Sequence, residues 1–140
     1  YQNTARGRQD TRILVVDDNS ASLAISTEIL RRGGYKVTAV SDAETALDEL
    51  EENQFDLVVT DLRMPRIDGK KLMELYRFIY PDRPVPFVFL TADATTDARE
   101  DARKAGAEGF LTKPVPAGVI LKTVHRLIAA KRSRAAVPHQ

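Results

Sequence analysis

Five short apolar runs punctuate the chain at similar spacing: Ile13-Leu14-Val15-Val16, Val37-Thr38-Ala39-Val40, Leu57-Val58-Val59, Phe87-Val88-Phe89-Leu90 and Gly109-Phe110-Leu111. Most are β-branched or aromatic, and the longest show no polar alternation. A strand with one wet face alternates apolar and polar side chains, whereas a strand buried on both faces reads as an unbroken apolar run. The strands are therefore expected inside the molecule, covered on both sides. Between them lie segments with helical period. Ala43, Ala46, Leu47 and Leu50 fall at i, i+3, i+4 and i+7, as do Leu72, Leu75, Tyr76 and Ile79. Ile120, Val124, Leu127 and Ile128 form another stripe. The segment 20–32 reads as a helix with Ile25 and Ile29 on one face and Gly33-Gly34 ending it. Ser41 followed by Glu44 is a capping-box signal for the second helix. The segment 95–105 is the weakest helix, with only Ala98, Ala102 and Ala105 to bury.

Strand and helix thus alternate five times. Parallel neighbours need crossovers of a dozen or more residues, so the alternation predicts a parallel sheet with helices on both faces. Right-handed crossovers then favour the doubly wound strand order 2-1-3-4-5 with five helices. A length of 140 residues suits one domain. No run approaches the roughly 18 apolar residues of a membrane span, and no signal-peptide core opens the chain. The absence of cysteine excludes disulfides, thiolate metal sites and cysteine nucleophiles, and fits a cytoplasmic location. The net charge of +1 hides an uneven distribution. Residues 1–12 sum to +2, residues 122–140 to +5, and residues 13–121 to −6. The first residue is Tyr, consistent with a segment of something longer. The expected organisation is a basic flexible segment over 1–11, a domain over 12–132 and a flexible segment over 133–140.

Polar residues collect where the strands end. The first strand runs into Asp17-Asp18, the third into Asp61, the fourth into Thr91 and the fifth into Lys113-Pro114. Open α/β sheets bind ligands outside the carboxyl ends of the strands, where strand order reverses. For order 2-1-3-4-5 that point lies between strands one and three, so the three aspartates are expected to converge there. Three close carboxylates cannot all stay ionised without a cation. All-oxygen ligation points to a hard ion, Mg²⁺ before Zn²⁺. With a lysine and a hydroxyl beside it, such a pocket suits phosphoryl transfer, and a carboxylate can itself be the acceptor. Asp61 stands alone on the middle strand and is the natural acceptor, whereas the adjacent Asp17 and Asp18 suit a metal.

Asp17-Asp18 after ILVV, Asp61-Leu62-Arg63-Met64-Pro65 with Asp68-Gly69, Leu90-Thr91-Ala92 and Lys113-Pro114 together resemble the signature of response-regulator receiver domains. The resemblance covers about 13–130 and implies a flavodoxin-like fold. It implies that Asp61 accepts a phosphoryl group from a histidine kinase or histidine phosphotransfer domain, in self-catalysed transfer and hydrolysis. Asp18, Asp61 and the Arg63 carbonyl match the direct Mg²⁺ ligands, with Asp17 acting mainly through water and Mn²⁺ as a substitute ion. Thr91 matches the switch hydroxyl, Lys113 the phosphoryl-contacting lysine, Phe110 the switch aromatic, and Lys113-Pro114 a bond that is usually cis. The motifs around Thr91 and Lys113 look most like receivers of hybrid sensor histidine kinases. An ordinary DNA-binding regulator or a stand-alone receiver is the alternative.

Each residue also has a plainer role. Asp18 or Asn19 could cap a helix, Thr91 could pack, Lys113 could be a surface charge and Phe110 could be core. Those roles do not explain why the groups end strands at one edge. His125 and His139 lie away from strand ends and are assigned no phosphoryl chemistry. Arg63 and Asp93 read most plainly as two solvated side chains; the sharper reading is that they pair across the pocket mouth and slow hydrolysis of the acyl phosphate. An aspartyl-nucleophile phosphatase of the haloacid-dehalogenase type is disfavoured, because it wants an aspartate where Arg63 stands. The basic residues Arg6, Arg8, Arg12, Lys131, Arg132 and Arg134 bring no nucleic-acid motif with them and read as solvated linkers. Neither nucleic acid nor membrane contact is expected of this segment, and other domains of the same polypeptide are candidate partners.

Overall fold

The structure is a computed structural model and describes residues 10–136. Five strands and five helices alternate: β1 (Arg12–Val16), α1 (Ser20–Arg32), β2 (Lys36–Val40), α2 (Ala43–Glu52), β3 (Leu57–Thr60), α3 (Gly69–Ile79), β4 (Phe87–Thr91), α4 (Thr96–Lys104), β5 (Gly109–Thr112) and α5 (Ala117–Ala136). The strands form one parallel sheet in the order β2-β1-β3-β4-β5. Every crossover carries a helix, as parallel pairing demands.

The apolar runs split between two cores because successive strand side chains point to opposite faces. Leu14, Val16, Val58, Phe87 and Phe89 face one layer, against Ala46 and Leu50 of α2, Leu72 and Tyr76 of α3, and Ala98 and Ala102 of α4. Ile13, Val15, Leu57, Val59, Val88 and Leu90 face the other, against Leu30 of α1 and Ile120, Val124, Leu127 and Ile128 of α5. The central strands β1, β3 and β4 are therefore buried on both faces along nearly all their length, the exception being Arg12 at the start of β1, whereas the edge strand β5 is only half-buried.

Several local readings shift. The cap of α2 is Asp42 rather than Ser41, since the Asp42 carboxylate accepts from the Thr45 amide at 2.7 Å. The face of α1 that carries Ile25 is not the buried one. Ile25 is 61% exposed, while Ser26, Thr27 and Leu30 turn inward, the small side chains of Ser26 and Thr27 letting the helix lie close to the sheet. On α3 the buried set is Leu72, Met73 and Tyr76, and Ile79 lies half-exposed. Helix α5 reaches Ala136, four residues past the boundary expected at 132, because nothing from Ala129 to Ala136 breaks a helix. Arg6, Arg8, His139 and the rest of 1–9 and 137–140 lie outside the described residues. At the end of α1, Gly34 takes φ 98° while Tyr35 N–H bonds Leu30 O and Gly34 N–H bonds Arg31 O, the paired closure that a left-handed residue permits.

Register sets up the site. Val16 pairs with Thr60 and Thr91 with Thr112. Asp17, Asp61 and Lys113 therefore leave the same edge of the sheet, one residue beyond their strands.

Candidate functional site

Asp17 follows β1 and is buried, with one carboxylate oxygen accepting from the Asn19 amide at 3.0 Å. Asn19 in turn caps α1 by accepting from the Ser22 amide at 2.9 Å. The capping role thus falls to Asn19 and leaves the exposed Asp18 carboxylate free of it. Asp61 follows β3, and its Oδ1 accepts from the Arg63 amide at 3.2 Å. Carboxylate oxygens of Asp17, Asp18 and Asp61 lie within 4.8 Å of one another.

Lys113 brings the counter-charge from β5. Its Nζ donates to Asp17 at 2.8 Å and to Asp61 at 3.2 Å. Its own amide donates to Thr91 O at 2.8 Å, and the Lys113-Pro114 peptide bond is cis. Burial alone would push the ammonium's pKa down. The hydrogen bond to Asp17 and the charges of Asp61 and Asp17 outweigh that and hold it above the ordinary lysine value. With all four groups ionised the cluster carries two net negative charges, the complement of one divalent cation.

Thr91 is buried, and its hydroxyl oxygen accepts from the Asp93 amide at 3.2 Å. Phe110, on β5, is half-buried against the α2–α4 core, and the Arg99 guanidinium of α4 lies 4.8 Å from its ring centroid. Arg63 and Asp93 do pair, at 2.8 Å between Nη2 and Oδ2, with Nε at 2.9 Å from the same oxygen. The Thr95 hydroxyl and amide also donate to Asp93, and these bonds, with Arg63, hold its carboxyl below the usual aspartate value. His125 stands exposed on α5 and touches none of these groups.

Two residues contribute in ways their type alone does not disclose. Gly69 opens α3, and a Cβ there would stand 2.1 Å from the Asp61 carbonyl oxygen and 3.0 Å from the Phe89 ring. The pair Asp68-Gly69 is a cap followed by a close approach, with Asp68 accepting from the Lys71 amide at 2.8 Å. Arg66, in the loop between β3 and α3, takes φ 66° and bonds Glu44 at 3.0 Å. Nothing in its side-chain type announces that conformation.

A doubly wound sheet with an acidic triad and a lysine at its switch point defines a class, and the chain matches the response regulator receiver domain over residues 13–125. It belongs to that family, the receivers of two-component signal transduction. Among its relatives, the sensory/regulatory protein RpfC of Xanthomonas campestris is 36% identical over 126 residues, covering 89% of this chain and 17% of RpfC. The sensor histidine kinase GacS of Pseudomonas protegens is 37% identical over 118 residues, covering 79% of this chain and 13% of GacS. The chain therefore spans less than a fifth of the length of either. Among solved structures, the receiver domain of the sensor histidine kinase PA1611 from Pseudomonas aeruginosa, with magnesium coordinated in its active-site cleft, superposes with a TM-score of 0.78. The two are 32% identical, covering 85% of this chain and 98% of that one.

Proposed function

We propose that Asp61 accepts a phosphoryl group from a phosphohistidine of a histidine kinase or phosphotransfer domain. The observation that carries this reading is the Lys113 ammonium bridging Asp17 and Asp61 at the switch point. An Asp61 carboxylate oxygen forms the new O–P bond as the P–N bond breaks, and the electron pair stays on the donor's imidazole nitrogen. Lys113 meets charge on the phosphoryl oxygens, and the Arg63 amide holds the acceptor carboxylate in place. The donor set fits Mg²⁺: Asp18, Asp61 and the Arg63 carbonyl would hold it, with Asp17 behind them. When bound, the ion supplies positive charge for the phosphoryl oxygens. Mn²⁺ fits the same oxygens. The Thr91 hydroxyl then donates to the phosphoryl group, and Phe110 follows it inward, shifting the face of β4, α4 and β5 that a partner reads.

A cleft of about 290 Å³ beside Lys113 supports the donor's approach. Ile25, Ile29, Pro114 and Val115 line it, so the exposed Ile25 has a role as a docking contact. We assign the receiver to 12–132, with α5 continuing past that boundary to Ala136, and 1–11 and 137–140 as flanking segments. The likeness to RpfC and GacS supports a place within a hybrid sensor kinase, for which we propose a cytoplasmic location. Among the described residues no helix is long and apolar enough to cross a membrane. The deciding experiment is labelling by radioactive acetyl phosphate with Mg²⁺. The wild-type chain should label and the Asp61→Asn chain should not; label persisting on Asp61→Asn would refute the assignment.

A further inference from the structure

At the edge of the sheet opposite Asp61 lies a cavity of about 700 Å³. Pro86 and Glu108, the residues just before β4 and β5, line it, which places it where those strands begin. The loop between α3 and β4 contributes Tyr80, Pro81 and Pro84, and α5 contributes Lys131 and Arg134. Pockets for small organic ligands occupy about 300–1,000 Å³ and are largely formed before the ligand arrives. This wall meets the second condition as well as the first. Proline fixes φ, so Pro81, Pro84 and Pro86 leave the loop little freedom. The Tyr76 hydroxyl donates to Arg83 O at 2.6 Å, and the Arg83 guanidinium donates to Leu50 O at 2.8 Å and Asn53 O at 3.3 Å. From α3, Arg77 donates to Gly106 O at 2.9 Å and Val85 O at 3.2 Å.

Charge narrows what the cavity can hold. Four cations line it, Arg77, Arg83, Lys131 and Arg134, against the single acid Glu108, a balance of +3. Glu108 already accepts from Arg77 at 2.8 Å and from the Phe87 amide at 2.9 Å. Arg83 is held by carbonyl oxygens and lies 4.9 Å from the Tyr80 ring centroid, contacts that orient a guanidinium without cancelling its charge. Lys131 Nζ stands 4.0 Å from Asp56, the outer limit of an ion pair, and among the described residues Arg134 makes none. Asp82, in the same loop, lines a smaller neighbouring cavity instead. The C-terminal ends of α3 and α5 also meet here, each worth roughly half a negative charge. With Asp56 they reduce the balance and leave it positive. Residues 13–121 sum to −6, so a positive cavity is not an average property of this surface.

We propose that this cavity binds a phosphate monoester with an aromatic body. Lys131 and Arg134 stand at i and i+3, neighbours on one side of α5. They meet the phosphate dianion, Arg134 through paired N–H donors and Lys131 as a point charge. The flat body rests on the rings of Tyr80, Pro81 and Pro84. A neutral ligand would leave the cations unanswered, and a bare phosphate would leave the ring surfaces wet. The site lies at the far edge of the sheet from Asp61, so its occupancy does not depend on phosphorylation there.

The full 140-residue chain, free of divalent cations, should be titrated with adenosine 5′-monophosphate and with phenyl phosphate, read by calorimetry and backbone amide shifts. Adenosine, phenol and inorganic phosphate are the controls. Saturable binding of at least one ester is expected, with shifts at Tyr80 and Lys131, and each control should bind about tenfold more weakly. Tighter binding of adenosine 5′-monophosphate identifies a nucleotide as the ligand, and tighter binding of phenyl phosphate a smaller aryl ester. Lys131→Gln with Arg134→Gln should weaken binding by about tenfold, and either alone by about threefold, with the circular dichroism unchanged because glutamine suits a helix. Asp61→Asn should leave binding unaltered. No saturation below about 10 mM by either ester, equal binding of the controls, indifference to the double variant, or shifts confined to Asp17, Asp18 and Asp61 overturns the proposal. An aspartate-rich peptide that fills the cavity where neither ester does overturns it in favour of an acidic protein segment.

Discussion

Lys113 shows how little a residue's type says until its neighbours are known. A lysine before a proline is ordinarily a solvated charge; here two carboxylates claim it. The Arg63–Asp93 pair has a comparable ambiguity. As a surface ion pair it is worth little to stability, yet it spans the mouth of the site. Replacing both with Ala should shorten the lifetime of the acyl phosphate several-fold, timed by loss of radioactive label; unchanged decay sinks that role. The depressed Asp93 carboxyl sets the pH window. The pair is intact above the ordinary aspartate value of about 4 and is lost only as pH falls through the lower folded value, so the effect should be equal at pH 6 and pH 8. Thr27 raises a different issue, since among the described residues its buried hydroxyl finds no hydrogen-bond partner. Thr27→Val keeps the shape and removes the orphan, and should raise unfolding stability by about 1 kcal/mol in urea titration. A loss of stability instead would mean that an unseen partner satisfies the hydroxyl.

At the scale of elements, the start of α3 ties local geometry to chemistry. Gly69 lets the helix begin against the backbone of Asp61. Gly69→Ala should cost about 3 kcal/mol and cut acetyl-phosphate labelling, because relieving the clash displaces Asp61, the proposed acceptor. Full labelling with wild-type stability would show that the loop yields freely. The Asp68-Gly69 pair was visible in the sequence, but the distance that makes Gly69 necessary depends on β3 and α3 meeting. Strand identity was legible because burial on both faces leaves an unmistakable apolar run. Helix faces were less so. The spacing of Ile25 and Ile29 marks a real stripe on α1, yet period alone cannot say which stripe meets the sheet; Ser26 and Thr27 win because small side chains permit close packing. Likewise Ser41 and Asp42 are both competent caps, and only the backbone turn decides between them.

At the scale of the whole molecule, the order of the strands made the site legible, since it placed four separated segments at one edge. The Arg66 conformation was not legible, because it depends on contacts between elements. The clustered carboxylates also predict how the fold responds to a cation. Saturating Mg²⁺ should raise the melting temperature by about 5 °C, as a ligand of the native state does, and Asp18→Asn should lose most of that rise. An equal rise with NaCl at matched ionic strength would reduce the effect to screening. One further consequence concerns the order in which the chain folds. Lys113 meets Asp17 and Asp61 across separations of 96 and 52 residues, and it arrives on an edge strand bound only to β4. A half-folded form with β1 and β3 paired but β5 loose would crowd its carboxylates without their counter-charge. Such a form is penalised by the same carboxylates that the proposed function uses, so β5 should dock cooperatively with the rest of the sheet. On the proposed function, competence to react and completion of the fold would be reached in the same step.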